Sequence, residues 1–161
     1  MAKQYTADQV AQYLLSLVEP DDNDVSNLKL QKLCYYAQGV GVAARDEPLF
    51  PERIYAWDHG PVVTTLYHNL KGHGGQPIPS AEEFDSEILD EADRQFLDDI
   101  YSYYGQFSAW RLRNMTHEEK PWQDAYKSED KEITIDALKE FFGPQVKDEY
   151  KDSVHGKIQA T

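Results

Sequence analysis

Five histidines and a single cysteine are the side chains in this 161-residue sequence best suited to metal or nucleophile chemistry. The histidines are His59, His68, His73, His117 and His155. No two stand at i, i+4 on a helix face, and no H-E-x-x-H occurs. His117 and Glu118 are neighbours in sequence and diverge on a helix. With only Cys34, a C-x-x-C zinc site is ruled out, so neither a metal nor a cofactor is expected. Cys34 falls inside an apolar stripe, where a thiol is inert core. There is no G-x-S-x-G elbow, and Gly72, Gly74 and Gly75 lack the Lys-Ser/Thr of a phosphate loop. One set could still do general acid–base work if a cleft gathered it: Asp58, His59 and His117. That is the enzyme alternative to the main expectation, which is no enzyme.

Two stretches are dense in aromatic and hydrogen-bonding residues, Tyr55–Val63 (YAWDHGPVV) and Trp110–Trp122 (WRLRNMTHEEKPW). Trp, Tyr and Arg dominate binding hot spots. The candidate partner-binding residues are therefore Tyr55, Trp57, His59, Pro61, Trp110, His117 and Trp122. For any one of them the competing reading is a structural corner, a packed Trp or a His bonded to backbone.

Helices must position these groups. Thr6 with Gln9 forms a capping box, and Val10, Tyr13, Leu14, Leu17 and Val18 follow as one apolar stripe. Ser26 caps a second, central helix striped by Leu30, Leu33, Cys34 and Ala37. Gly39 and Gly41 near its end either loosen the last turns or let another backbone approach closely. Residues 54–57 read as a short strand, and Pro61 as the first residue of a third helix. Residues 76–89 read as a surface loop. An acidic helix runs from Glu91 to Tyr104, with Gly105 at C′. Ser108 caps the next helix, Thr116–Glu119 reads as another capping box, and Thr134 caps the last helix, with Ile133 and Leu138 as a hydrophobic staple. The expected fold is mainly α: a single-domain bundle of six or seven helices with at most one short strand or hairpin. Residues 144–161 read as a polar C-terminal tail.

The formal charge is −13. Residues 1–80 hold 9 acidic and 6 basic residues, leaving residues 81–161 with 20 and 10. The second half thus carries the negative field. It disfavours direct nucleic-acid binding and steers a basic protein partner. The run from Glu82 to Asp99 holds nine acidic residues and only Arg94, which leaves open an acidic mimic of nucleic acid. The N-terminus lacks the apolar run of a signal peptide, and no stretch approaches the ~20 apolar residues of a membrane span. A cytoplasmic protein without membrane association is expected.

The segments SNLKLQKLCYYAQG (26–39), PLF (48–50), IYAWDHGPVV (54–63) and SAWRLRNMTHEEKPW (108–122) together resemble the SocA-like antitoxin domain, also called Panacea, which includes phage-associated GepA-type proteins. The resemblance covers residues 5–143. Two departures stand out: Val40-Gly41-Val42 lacks an expected aromatic residue, and Thr64 follows GPVV where proline is common. The resemblance implies a compact helical domain of bacteria and their phages (including prophages), encoded beside a toxin and neutralising it by direct contact. It does not name the toxin. Some members carry a fused DNA-binding segment; here nothing basic is left over, so operator binding is not expected.

Overall fold

Helix-capping chemistry sets the element boundaries in the computed structural model, which describes residues 3–146. Along the chain the elements are α1 (Ala7–Ser16), α2 (Asn27–Arg45), β1 (Ile54–Trp57), β2 (Gly60–Val63), α3 (Thr64–Leu70), α4 (Glu91–Tyr104), α5 (Ala109–His117), α6 (Lys120–Lys127), β3 (Glu132–Ile133) and α7 (Ile135–Phe142). Thr6 and Gln9 close the capping box of α1 in both directions. Ser26, Ser108 and Thr134 each accept from the backbone N–H three residues on. Ile133 and Leu138 flank Thr134 and are both buried, as a staple requires. The mainly helical bundle with a short hairpin is the architecture expected from the sequence.

α2 is the axis of the molecule. Every residue from Leu30 to Val42 is buried, so the helix is enclosed on all sides, with α1, α4, α5, α7 and β2 packed against it. The three strands form an antiparallel sheet in the order β2-β1-β3. In the β1–β2 hairpin Trp57 pairs with Gly60 and Ala56 with Pro61. β3 adds a two-residue strand pairing Ile54 with Ile133.

Local readings differ from the structure at four points. Pro61 does not open a helix: it lies in β2, at the sheet edge, where a missing N–H is tolerated. Gly60, at φ +108°, closes the tight turn before it, so the helix begins at Thr64 instead. Thr116 is no N-cap. It sits inside α5 with its hydroxyl donating back to Arg113 O at 2.7 Å, and α6 starts after Glu119 with Pro121 in its first turn. Gly105 is the C-cap of α4 in right-handed geometry, φ −66°, not a left-handed C′ residue. Finally, α2 runs straight through both glycines to Arg45 and is stopped by Asp46 at φ 63°.

The loop 76–89 is held down at Ile78, whose N–H bonds Val25 O at 2.9 Å and whose carbonyl accepts from Asn23. Of the expected tail, Pro144 and Gln145 belong to a 3-10 turn that begins at Gly143, and Val146 packs on the core. Residues 147–161, including His155, lie outside the described residues.

Candidate binding site

The polar residues of α2 are as buried as its leucines. Lys29, Gln31, Lys32 and Gln38 are each at most 1% exposed. Buried polar groups need partners, and these four find them far along the chain. Lys29 Nζ donates to Gly105 O at 2.8 Å and pairs with Asp24 at 2.9 Å. Gln31 Oε1 accepts from Val63 N at 2.9 Å. Lys32 Nζ donates to Pro61 O at 3.2 Å. Gln38 accepts from Leu49 N and donates to Phe50 O, both at 2.7 Å. One helix thereby anchors the PLF segment, the hairpin and the end of α4.

Tyr35 and Tyr36 extend this network to α6. Their hydroxyls donate to the two carboxylate oxygens of Glu119, each at 2.8 Å. Desolvation pushes the Glu119 carboxyl up to about 7, against the pull of the two tyrosine hydrogen bonds. Desolvation, with Arg113 nearby, pushes the Lys32 ammonium down to about 7. Cys34 is fully buried and its thiol is pushed up to about 12, mainly by burial, which fits inert core.

The hairpin tip meets α5 and α6. Trp122 Nε1 donates to Trp57 O at 2.9 Å. His117 stacks on Trp122 at 4.0 Å and Trp122 on Tyr126 at 4.6 Å, a three-ring ladder. Tyr126 OH donates to the Asp58 carboxylate. On the outer side, Arg113 Nε donates to His59 Nδ1 at 3.4 Å, and its guanidinium lies 4.4 Å over the Trp110 ring. His59 and Trp110 are themselves 5.9 Å apart.

Of the seven candidate residues, five gather at this junction: Trp57, His59, Trp110, His117 and Trp122. They differ in exposure. Trp110 is 55% exposed, whereas His117 and Trp122 are half-buried in the ladder. Pro61 is buried, and its carbonyl is engaged by Lys32. Tyr55 is half-buried on β1, opposite Val62 and Glu132. Asp58, His59 and His117 come near one another but form no carboxylate–imidazole hydrogen bond. Asp58 serves Tyr126, His59 accepts from Arg113, and burial lowers the His117 pKa. Among the described residues no three His, Cys, Asp or Glu side chains cluster for a metal.

Beside the hairpin lies a cavity of about 630 Å³ between α2, the hairpin, α3 and the Lys131 turn. Lys32, Lys71, Tyr126 and Lys131 line it, and sequence reasoning singled out none of them. The available signal was Lys29, Gln31, Lys32 and Gln38 spread around a helix whose apolar stripe already marks it as central.

The nine-acid run is partly spent internally. Asp93 accepts from Tyr5 OH at 2.5 Å and lies 3.8 Å from Arg45, and Asp98 accepts from Tyr13 OH at 2.6 Å. Among the described residues no helix is long and apolar enough to cross a membrane.

Comparison with known proteins falls on these same elements. The family described as antitoxin SocA-like, Panacea domain, matches residues 30–123, more than half of the chain. The antitoxin SocA of Caulobacter vibrioides (strain NA1000 / CB15N) is 37% identical over 69 residues. That stretch is 43% of this chain and only 37% of the relative, little more than a third of its length. No solved structure matches. The matched region holds the body of α2, the PLF segment, the hairpin, α5 and Glu119, the parts joined by the buried polar network, and the chain belongs to the antitoxin SocA-like, Panacea domain family.

Proposed function

We propose that this chain is the antitoxin of a bacterial or phage toxin–antitoxin pair, and that it neutralises a protein toxin encoded by the adjacent gene through direct contact in the cytoplasm. Family membership supports the antitoxin role. The observation that carries the contact mode is Trp110. Among the described residues only Trp110 and Ile88 are large apolar side chains left exposed. Arg113 covers one face of the Trp110 ring, and His59 stands beside it. A Trp backed by an Arg on a rigid helix is the composition of a binding hot spot. Trp57, His117 and Trp122 pack together at the same hairpin tip, while Tyr55 and Pro61 lie in the strands that carry His59. An interface of roughly 800 Å² per partner suffices for stable inhibition.

Neither alternative gains from the geometry. Asp58 and His59 are exposed and engaged by Tyr126 and Arg113, His117 is stacked on Trp122, and the three show no carboxylate–imidazole pair to move a proton. The mimic reading loses Asp93 and Asp98 to tyrosines of the same chain. Direct nucleic-acid binding is disfavoured by the net charge of −13.

The test is affinity purification from the native host, followed by mass spectrometry. A single stoichiometric partner, encoded next door and toxic when expressed alone, is expected. Trp110→Ala should weaken that complex about 30-fold, the roughly 2 kcal/mol of a hot-spot truncation. It should leave the melting temperature unchanged, because the ring is more than half exposed. Recovery of the chain alone, beside a harmless neighbouring gene, would sink the antitoxin reading.

A further inference from the structure

Four apolar side chains stand apart from the continuous hydrophobic core and line the cavity beside the hairpin: Leu28, Trp57, Val62 and Tyr67. Leu28, in the first turn of α2, is half-buried, whereas every position from Leu30 to Val42 is enclosed. The polar groups on the same walls are spent within the chain. Gln31 Nε2 donates to Asn27 Oδ1 at 2.9 Å, and Asn27 Nδ2 to Tyr67 O at 3.3 Å. The Asp58 carboxylate accepts from Tyr126. A site for a small polar ligand keeps convergent polar groups to orient it; these walls offer apolar surface instead. Cations stand at the edge. Lys71 is exposed, and its ammonium has no hydrogen bond or ion pair among the described residues. Lys131, also exposed, spends one of its three donors on Tyr126 O at 2.6 Å. On a chain of net charge −13 this is a local reversal of sign. The lip from Lys71 to Gln76 is exposed throughout, and its backbone bonds run within the loop, from Gly74 N to Lys71 O and from Gln76 N to His73 O. A Cβ at Gly72, Gly74 or Gly75 would meet nothing, so the lip can yield to an incoming chain. His59 joins the cavity to the α5 surface: it belongs to the lining and stands 5.9 Å from Trp110.

We propose that this cavity is the second half of the toxin contact, taking apolar side chains from an acidic segment of the toxin whose carboxylates meet Lys71 and Lys131 at the rim. The proposal rests on the antitoxin reading and names the chemistry of the partner. A segment with apolar residues on one face and acids at its edges matches both features, as an amphipathic helix laid in a groove does. Its apolar side chains cover Leu28 and Val62, and its carboxylates give Lys71 the partner it lacks within the chain. The contact then has one anchor running each way across His59. Trp110 projects outward to the toxin, and the apolar side chains of the toxin enter the cavity.

The test uses the full chain in complex with the product of the adjacent gene, treated with a zero-length carbodiimide that joins amines to carboxylates. Lys71 or Lys131 should cross-link to an Asp or Glu of the toxin that lies within about one helical turn of an apolar residue. Leu28→Glu places a charge that suits the first turn of a helix and opposes an occupant both apolar and acidic. It should weaken the complex about tenfold with an unchanged circular dichroism spectrum. Lys71→Glu, on the surface, should weaken it several-fold, and reversing the cross-linked toxin acid to lysine should restore the affinity. The charge-matched Lys139→Glu, on α7, should bind as the wild type does. The two readings fail separately. A complex weakened by Trp110→Ala but untouched by Leu28→Glu and Lys71→Glu overturns the cavity proposal and leaves the antitoxin reading standing. Equal loss in Lys71→Glu and Lys139→Glu overturns the cavity proposal as well, and the absence of any complex overturns both.

Discussion

Glu119 and Lys32 give this protein an unusual dependence of stability on pH. Burial raises the Glu119 carboxyl from 4.5 to about 7. The folded state therefore holds a proton that the unfolded chain has lost, and stability falls as pH climbs from about 4.5 towards 7. Lys32 is lowered from 10.5 to about 7. Over that window the unfolded chain binds the extra proton, so the Lys32 contribution grows as pH rises from 7. The Glu119 burden is complete above about pH 7 and the Lys32 burden below it, so their sum is greatest near neutrality. For Glu119 the shift corresponds to about 3 kcal/mol. Difference curves isolate each group from the many other carboxylates. Glu119→Gln should gain stability over wild type as pH rises from 5 to 8, whereas Glu119→Ala, leaving two buried tyrosine hydroxyls unpaired, should lose about 2–5 kcal/mol at pH 5, a deficit that narrows towards pH 8 because the same titration is gone. Chemical denaturation across pH 5–9 measures both. A Gln variant that runs parallel to wild type would show that the carboxylate titrates normally. None of this was legible locally. The 3–4 spacing of Leu30, Leu33, Cys34 and Ala37 marks one buried face of α2. That its polar face is buried as well depends on partners at Val63, Pro61, Gly105 and Glu119, at least 29 residues away.

At the scale of elements, α2 and α7 meet through a missing side chain. A Cβ added at Gly39 would lie 2.3 Å from the Phe142 ring. Glycine mid-helix costs about 1 kcal/mol relative to alanine, so the sequence gives up helix propensity to admit that ring. Phe142 in turn packs edge-on against Tyr35 and Tyr36, the donors to Glu119. Gly39→Ala should destabilise by about 1–3 kcal/mol despite the better propensity. Combined with Phe142→Leu, it should cost less than the sum of the two single changes, a coupling read from a double-mutant cycle. Strict additivity would place the two side chains out of contact. Caps and stripes made most helix starts readable, since they are local. The hairpin was misread at Pro61 for a physical reason: proline suits both a first helical turn and an edge strand. What decides between them is Gly60, whose Cβ position is filled by Lys32 Cε at 2.5 Å and Thr116 Oγ1 at 2.9 Å. The acids of α4 show the same limit, because composition could not tell solvated carboxylates from Asp93 and Asp98, which hold α1 and the chain start.

Across the whole molecule, charge acts at two distances with opposite signs. The net charge of −13 sets the far field, which reaches partners about a Debye length away, ~8 Å at physiological salt. The proposed contact is locally cationic, with Arg111 and Arg113 on α5, and Lys71 and Lys131 at the adjoining cavity. A toxin suited to both fields is basic overall and presents acidic or aromatic-accepting groups where it meets Trp110. Encounter and retention then respond to different residues. Raising salt from 0.05 to 0.5 M should slow association about tenfold and leave dissociation nearly unchanged. Reversing the exposed acids Glu82, Glu83 and Glu91 should mimic high salt, again through the association rate. Trp110→Ala should do the reverse, speeding dissociation while association holds, because an anchor at the interface centre is read after docking. Surface plasmon resonance on the purified pair separates the two rates. An association rate indifferent to both salt and acid reversal removes the steering and leaves the Trp110 contact to carry the affinity alone. An unchanged dissociation rate in Trp110→Ala moves the interface off α5.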